Sequence, residues 1–464
     1  SGAADLFGGQ SPCFIQAAEQ YRLQRGDHPG DDPQSNDRGH LLQRKIRLLH
    51  RGARGIDRSV DPADQVEMTT CADQAYQAAD EDLNATYKLA MAAMKDWDSG
   101  LPKAQRVSSV RRFLRHPLGR NSVLLILAFL LLGFAILMYV LLDGFDLGIG
   151  ILYPWFNSDA EHDHLMRSIS HVWDGNETWL VFGGVILLGA FPAAYAAITS
   201  LLYLPIMLML IGLIFRGVAF EYRFKSTTSK RWWNRAFAAG SSLAAFCQGL
   251  MLGVVVQGID DTALSGSAWQ WLTPFAFFTG IAVMAGYALL ACTYLTMKSR
   301  GELQQKAARY GQRILLFVML AMLLVSLWTL YLQPDIRGRW FGGYYSLVLM
   351  LLPLSAVLVS RLLFRDLARV QRQHLAAMPV NSKHESRPFW LAAMLFLLAF
   401  FGLVVGLFPY LLPQQLSFYA AAAPDSSLRF MLPGILIFLP LILAYTLWGY
   451  HIFRGKIEDY EEGY

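Results

Sequence analysis

DGFDLGIGILYPWFNSDAEHDHLMRSISHVWDGNE, residues 143–177, decides how the rest of the chain is read. An apolar run from Asn121 to Leu142 precedes it and is long enough to cross a membrane once. A second run from Thr178 to Phe220 follows and is long enough to cross twice. Four carboxylates, Asp143, Asp146, Asp174 and Glu177, are therefore expected where two crossings meet water. An ionisable side chain at that border is costly unless it is solvated, paired or used. Each pair is spaced i,i+3, so Asp143 and Asp146 share a helix face if the helix continues, and Asp174 and Glu177 do likewise. Either pair alone reads as a helix cap with a solvated charge. Two pairs at one border point to proton exchange, because carboxylates beside a low-dielectric wall hold protons more firmly than in water.

The surrounding composition agrees. Of the 464 residues, 54% are hydrophobic and only 16% charged, which excludes an ordinary soluble domain of this size. A crossing needs about 20 mostly apolar residues. Nine stretches qualify, near 121–142, 178–199, 201–220, 236–257, 272–296, 313–332, 342–360, 389–411 and 430–453. They must be helices, since backbone groups in lipid are satisfied only internally. Pro192, Pro205, Pro353 and Pro440 fall inside them, where kinks are tolerated.

Orientation follows from lysine and arginine. The segments after spans three, five, seven and nine carry Arg223, Lys225, Lys230, Arg231 and Arg235; Lys298, Arg300, Lys306, Arg309 and Arg313; Arg361, Arg365, Arg369, Arg372, Lys383 and Arg387; and Arg454 and Lys456. All lie on one side, which is read as cytoplasmic, together with the C-terminus and the 143–177 stretch. The opposite loops hold Arg337, Arg339 and Arg429. One flank disagrees: RRFLRHPLGR, residues 111–120, is basic yet falls outside in this topology.

Residues 1–65 are Gln-, Arg-, Asp- and Gly-rich without apolar periodicity and read as a disordered extension. Residues 66–115 read as a short helical segment, and 116–464 as the membrane domain. Residues 1 to about 105 are expected to be a fusion or a wrongly assigned start, because a long polar tail without a signal exports poorly. An intact mass matching all 464 residues would overturn that expectation.

Other residues narrow the chemistry. Arg216, near the end of span three, can pair with Asp174 or Glu177 or reach lipid phosphates. Gln248 and Gln257 read as interhelical hydrogen-bonding groups. Gly183, Gly184 and Gly189 permit close helix contact. None of the ten histidines falls in the middle of a span, so the chain itself is not expected to bind haem. His171 reads as a partner for a nearby carboxylate. Cys13, Cys71, Cys247 and Cys292 form no CxxC pair and read as unpaired thiols. No GxxxxGK[ST] loop occurs, which excludes a P-loop ATP motor. From residues alone, a proton-coupled secondary transporter stays open beside a proton-conducting subunit, although no inverted repeat supports it.

Four motifs resemble a known family. DGFDLGIG (143–150), WDGNETWL (173–180), FPAAYA (191–196) and LIFRGVAFEYRFK (213–225) are similar to those of subunit II of cytochrome bd-type quinol oxidases, with FRGVAFEYR closest to the cyanide-insensitive branch. The resemblance covers about residues 121–464. It implies an all-α polytopic membrane protein of about nine helices, as two four-helix bundles plus a peripheral helix. It implies a haem-free chain in the bacterial inner membrane, packed as a heterodimer on a subunit I that holds haem b and haem d (or b). Quinol is then the substrate, a structural quinone and small single-span subunits are possible companions, and protons are taken up from the cytoplasm. Asp146 and Asp174 match family acids proposed for that uptake; Asp143 and Glu177 join them by position, with Trp173, Asn176 and Arg216 as structural or interface residues. Separately, Cys71, Tyr76, Asp80, Leu83, Asn84 and Tyr87 resemble the start of the LprI-like lysozyme-inhibitor family over about forty residues; that likeness carries no function here.

Overall fold

A computed structural model describes residues 117–226, 228–258, 271–342, 346–375, 382–413 and 415–457. The expected disordered extension, the short helical segment and Cys13 and Cys71 lie outside the described residues, as do the side chains of the basic flank. The helices are α1 (Pro117–Leu152), α2 (Asp159–Ile169), α3 (Trp173–Ala190), α4 (Pro192–Leu201), α5 (Tyr203–Arg223), α6 (Lys230–Gln257) and α7 (Pro274–Lys298). They continue with α8 (Gly301–Leu332), α9 (Pro334–Phe341), α10 (Ser346–Leu349), α11 (Leu351–Leu375), α12 (Ser382–Leu407) and α13 (Asp425–Ile452). A small antiparallel hairpin, β1 (Tyr410–Leu412) and β2 (Leu416–Ser417), joins the last two long helices.

Among the described residues, eight helices are long and apolar enough to cross a membrane. The crossing expected at 178–199 is not among them. α3 begins five residues earlier, at Trp173, and ends at Ala190, and Pro192 starts the separate helix α4. Proline supplies no N–H and its ring clashes with the preceding turn, so it opens a helix rather than continuing one. The 18 residues of α3 span about 27 Å. At one end Asn176 is bonded to Asp146 and Tyr450; at the other the Ala190 carbonyl accepts from the Ala423 N–H at 2.8 Å. Pro205 and Pro353 likewise sit in the first turns of α5 and α11, and only Pro440 of the four lies well inside a helix.

α1, α3, α5 and α6 make one four-helix bundle, and α7, α8, α11 and α12 close a second. α1 and α6 pack on α7 and join the two, while α13 lies outside on α3 and α1. α7 is the most buried crossing. Leu316, Leu320 and Leu327 of α8, Leu354 and Val357 of α11, and Ile437 and Leu441 of α13 point outward, as expected for apolar side chains that meet lipid or a partner.

The glycines of DGFDLGIG let α1 approach its neighbours. A Cβ at Gly148 would sit 2.0 Å from the Tyr287 carbonyl oxygen of α7, and one at Gly150 would sit 2.1 Å from Ser241 Oγ of α6. No side chain fits at either contact without moving a helix. Gly148→Ala is therefore expected to destabilise the subunit by about 1–3 kcal/mol, the cost of overpacking. Thermal unfolding of the purified protein checks it; an unshifted midpoint would contradict the packing described here.

The two ends of the bundle differ in charge. One end gathers the last turns of α1, α5, α7 and α13 and the first turns of α3, α8 and α12, tied by Lys306–Glu161 at 2.6 Å and Lys456–Glu385 at 3.0 Å. The basic clusters fall on this end. At the other end Gln257 accepts from Thr273 Oγ1 at 2.7 Å, and its carbonyl accepts from Gln333 Nε2. There Arg339 Nη1 caps α12 by donating to the carbonyls of Val405 and Gly406 at 3.0 and 3.2 Å.

Candidate functional site

α1 does not stop where its hydropathy falls. Leu147, Ile149, Ile151 and Leu152 keep it apolar, and it gives way to a 3-10 turn, Tyr153–Trp155, that holds Pro154. Asp143 therefore lies nine residues before the last residue of α1, about 14 Å along the helix. Asp143 and Asp146 are fully buried, which corrects the expectation that all four acids meet water. They share a face, as the spacing requires.

A short hairpin returns the chain. Ser158 caps α2 by accepting from the Glu161 N–H at 3.1 Å, and Glu161 accepts from the Ser158 N–H at 3.2 Å. Burial alone would raise the Glu161 carboxyl, but the Lys306 ammonium and the two backbone donors outweigh it and hold the carboxyl below its ordinary value. α3 then starts with Trp173 and brings Asn176 and Glu177 against α1 and α5.

Arg216 of α5 organises the site. Its Nη1 donates to Asp143 Oδ1 at 2.7 Å and its Nη2 to Glu177 Oε1. Of the partners left open by the sequence, Glu177 is the one taken, and Asp143 is added. Arg216 is itself buried, so it does not reach lipid phosphates. The Trp173 ring lies 6.0 Å from its guanidinium carbon and packs against Phe220.

Asp146 has a different partner. Asn176, also buried, donates from Nδ2 to Asp146 Oδ2 at 2.7 Å and to the Leu142 carbonyl at 3.3 Å. Its Oδ1 accepts from the Tyr450 hydroxyl of α13 at 3.0 Å. Among the described residues, Asp146 Oδ1 and Asp143 Oδ2 are buried without a hydrogen-bond partner. Buried polar atoms are rarely left so, and a carboxyl oxygen in this position can receive a proton at little cost in other contacts.

The four acids form a gradient. Asp174 is exposed, Glu177 keeps 27% of its side chain accessible, and Asp143 and Asp146 are closed off. Asp174 lies within electrostatic reach of Glu177, and Glu177 and Asp143 within reach of Asp146. A second strand of contacts leads inward. Tyr139, one turn before Asp143, lies near that acid and accepts from Gln248 Nε2 at 2.7 Å; Gln248 Oε1 accepts from Tyr287 at 2.7 Å. Gln248 thus bridges helices as its type suggested.

Two groups escaped the sequence reading. Tyr450 is one. The other is Arg223, counted there as a loop cation but fully buried, because Asp163 and Asn234 hold it: Nη1 donates to Asp163 Oδ1, and Nε to Asn234 Oδ1 at 2.6 Å. Its spacing of seven from Arg216, two helical turns, was the available signal.

Three histidines of this end are engaged. His162 Nε2 meets the Tyr153 carbonyl at 3.1 Å, His164 Nε2 meets Ser299 Oγ at 3.0 Å, and His171 Nδ1 meets Ser170 Oγ at 2.9 Å. His171 also stacks on Phe453 at 4.0 Å. Burial and the neighbouring Lys298 push its imidazole below the ordinary value, so it is neutral near pH 7. Gly183 packs on Ala135, whereas Gly184 faces open space. Cys247 and Cys292 are free and buried. No group of three His, Cys, Asp or Glu side chains among the described residues is placed to hold a metal ion.

The family model for cytochrome bd terminal oxidase subunit II matches residues 124–453. The model for lysozyme inhibitor LprI matches residues 57–109, outside the described residues. Cytochrome bd-I ubiquinol oxidase subunit 2 of Escherichia coli (strain K12) is 26% identical over 381 residues, covering 73% of this chain and 97% of that protein. Cytochrome bd ubiquinol oxidase subunit 2 of Bacillus subtilis (strain 168) is 26% identical over 345 residues, covering 72% and 96%. The structure of bd oxidase from Geobacillus thermodenitrificans aligns with a TM-score of 0.55 at 18% identity, over 72% of this chain and 100% of that one.

Proposed function

Because the chain belongs to the cytochrome bd terminal oxidase subunit II family, we propose that it is the haem-free second subunit of a quinol:dioxygen oxidase and takes up protons for oxygen reduction. The partner subunit's haems supply the electron transfer and oxygen chemistry. This chain supplies protons, one for each electron that dioxygen accepts on its way to water.

One observation carries the reading: four acids of graded burial lie along one end of the bundle, from exposed Asp174 through Glu177 to buried Asp143 and Asp146. Asp174 collects a proton from water. Glu177 and Asp143 are held together by Arg216, which keeps two carboxylates tolerable in a dry interior. Asp146 has only a neutral amide and a free oxygen, so it is the acid that binds and releases the proton. The cation-rich segments on the same end support a cytoplasmic side for it and for the C-terminus.

Purification through a tag on this chain tests the assignment. A haem-bearing partner, a reduced-minus-oxidised haem spectrum and quinol-dependent oxygen consumption are expected. A colourless chain isolated alone would overturn it and favour the proton-coupled transporter.

A further inference from the structure

α13 is the peripheral helix, with Tyr445, Leu447 and Trp448 exposed, yet the residues just past its C-terminus are fastened to the bundle. Lys298 Nζ donates to the carbonyls of Phe453 and Gly455. Lys456 Nζ donates to the Ser299 carbonyl at 2.9 Å and pairs with Glu385 at 3.0 Å, while Phe453 stacks on His171. The last turn of α13, just before them, presents Tyr450 to Asn176.

An asparagine amide can turn over, exchanging its donor and acceptor ends. Here Tyr450 donates to Oδ1, which leaves Nδ2 to face Asp146 Oδ2 and the Leu142 carbonyl. Without that hydroxyl, Oδ1 would be a buried acceptor without a donor, and the reversed amide would set oxygen against oxygen at Asp146. We propose that Tyr450 is a positioning residue for Asp146, acting through Asn176 to keep an amide donor on the proton-carrying acid. This rests on the proton-uptake reading above. The charged and titratable groups facing Asp146 are Asp143 from α1, Glu177 from α3, Arg216 from α5 and Tyr450 from α13.

Tyr450→Phe in the purified complex tests it, with Asp146→Asn and Asn176→Leu alongside. Tyr450→Phe is expected to assemble with normal haem content and to slow oxygen consumption about three- to ten-fold, the scale of one hydrogen bond. Its rate profile is expected to move to higher pH, since the ionised acid loses its donor. In an Asn176→Leu background the same substitution should add nothing. An unmoved profile, additive effects or failure of Tyr450→Phe to assemble would each overturn the proposal. A wild-type rate for Asp146→Asn would instead remove the reading beneath it, and this proposal with it.

Discussion

Replacing Asp146 by Asn is expected to lower oxygen consumption by the assembled complex about ten-fold or more, the usual contribution of a positioned acid–base group. Haem content and subunit stoichiometry should stay normal. Asparagine keeps the shape of aspartate and can still meet Asn176 Nδ2 through its carbonyl oxygen, so the local packing survives. What disappears is the group that binds and releases a proton at the buried end of the gradient. Protonating Asp143 would weaken its ion pair with Arg216 at 2.7 Å, a cost that Asp146, bonded to a neutral amide, does not carry. Turnover with excess quinol, normalised to haem, is the measurement, and an unchanged rate would contradict the assignment.

Arg216→Gln has the larger structural consequence. Arg216 and Asp143 are both buried, and Glu177 shares the same guanidinium. Removing the cation strands a buried carboxylate, which costs about 3–5 kcal/mol. That is a large part of the stability of a typical domain, about 5–15 kcal/mol. The expected result is a sharp loss of assembled subunit from the membrane, read by immunoblot against a wild-type control. Asp143→Asn in the same chain should recover part of the yield, because it removes the uncompensated charge; such coupling is the signature of a direct pair. Wild-type assembly of the single variant would show that the pair is dispensable.

The span pattern and the acidic pairs were legible in the sequence, because hydropathy over about 20 residues and i,i+3 spacing are local properties. The burial of Asp143 and Asp146 was not. A fall in hydropathy reads as the water border, yet α1 runs on to Leu152 inside protein, where neighbouring helices replace lipid. Arg223 was misplaced for the same reason: counting cations assigns a side of the membrane but cannot see a buried partner such as Asp163. Tyr450 and Asn176 are 274 residues apart, and no local pattern links them. Pro192 was visible, but whether proline kinks or ends a helix depends on what packs beside it.

Proton uptake during oxygen reduction is the decisive measurement for Asp146. The complex is reconstituted into vesicles with a pH indicator on the side of the basic end, reduced, and given oxygen. Wild type is expected to remove protons from that side in step with turnover, and Asp146→Asn to slow the uptake about ten-fold or more. Uptake of equal rate in both proteins, or uptake from the opposite side, would contradict it.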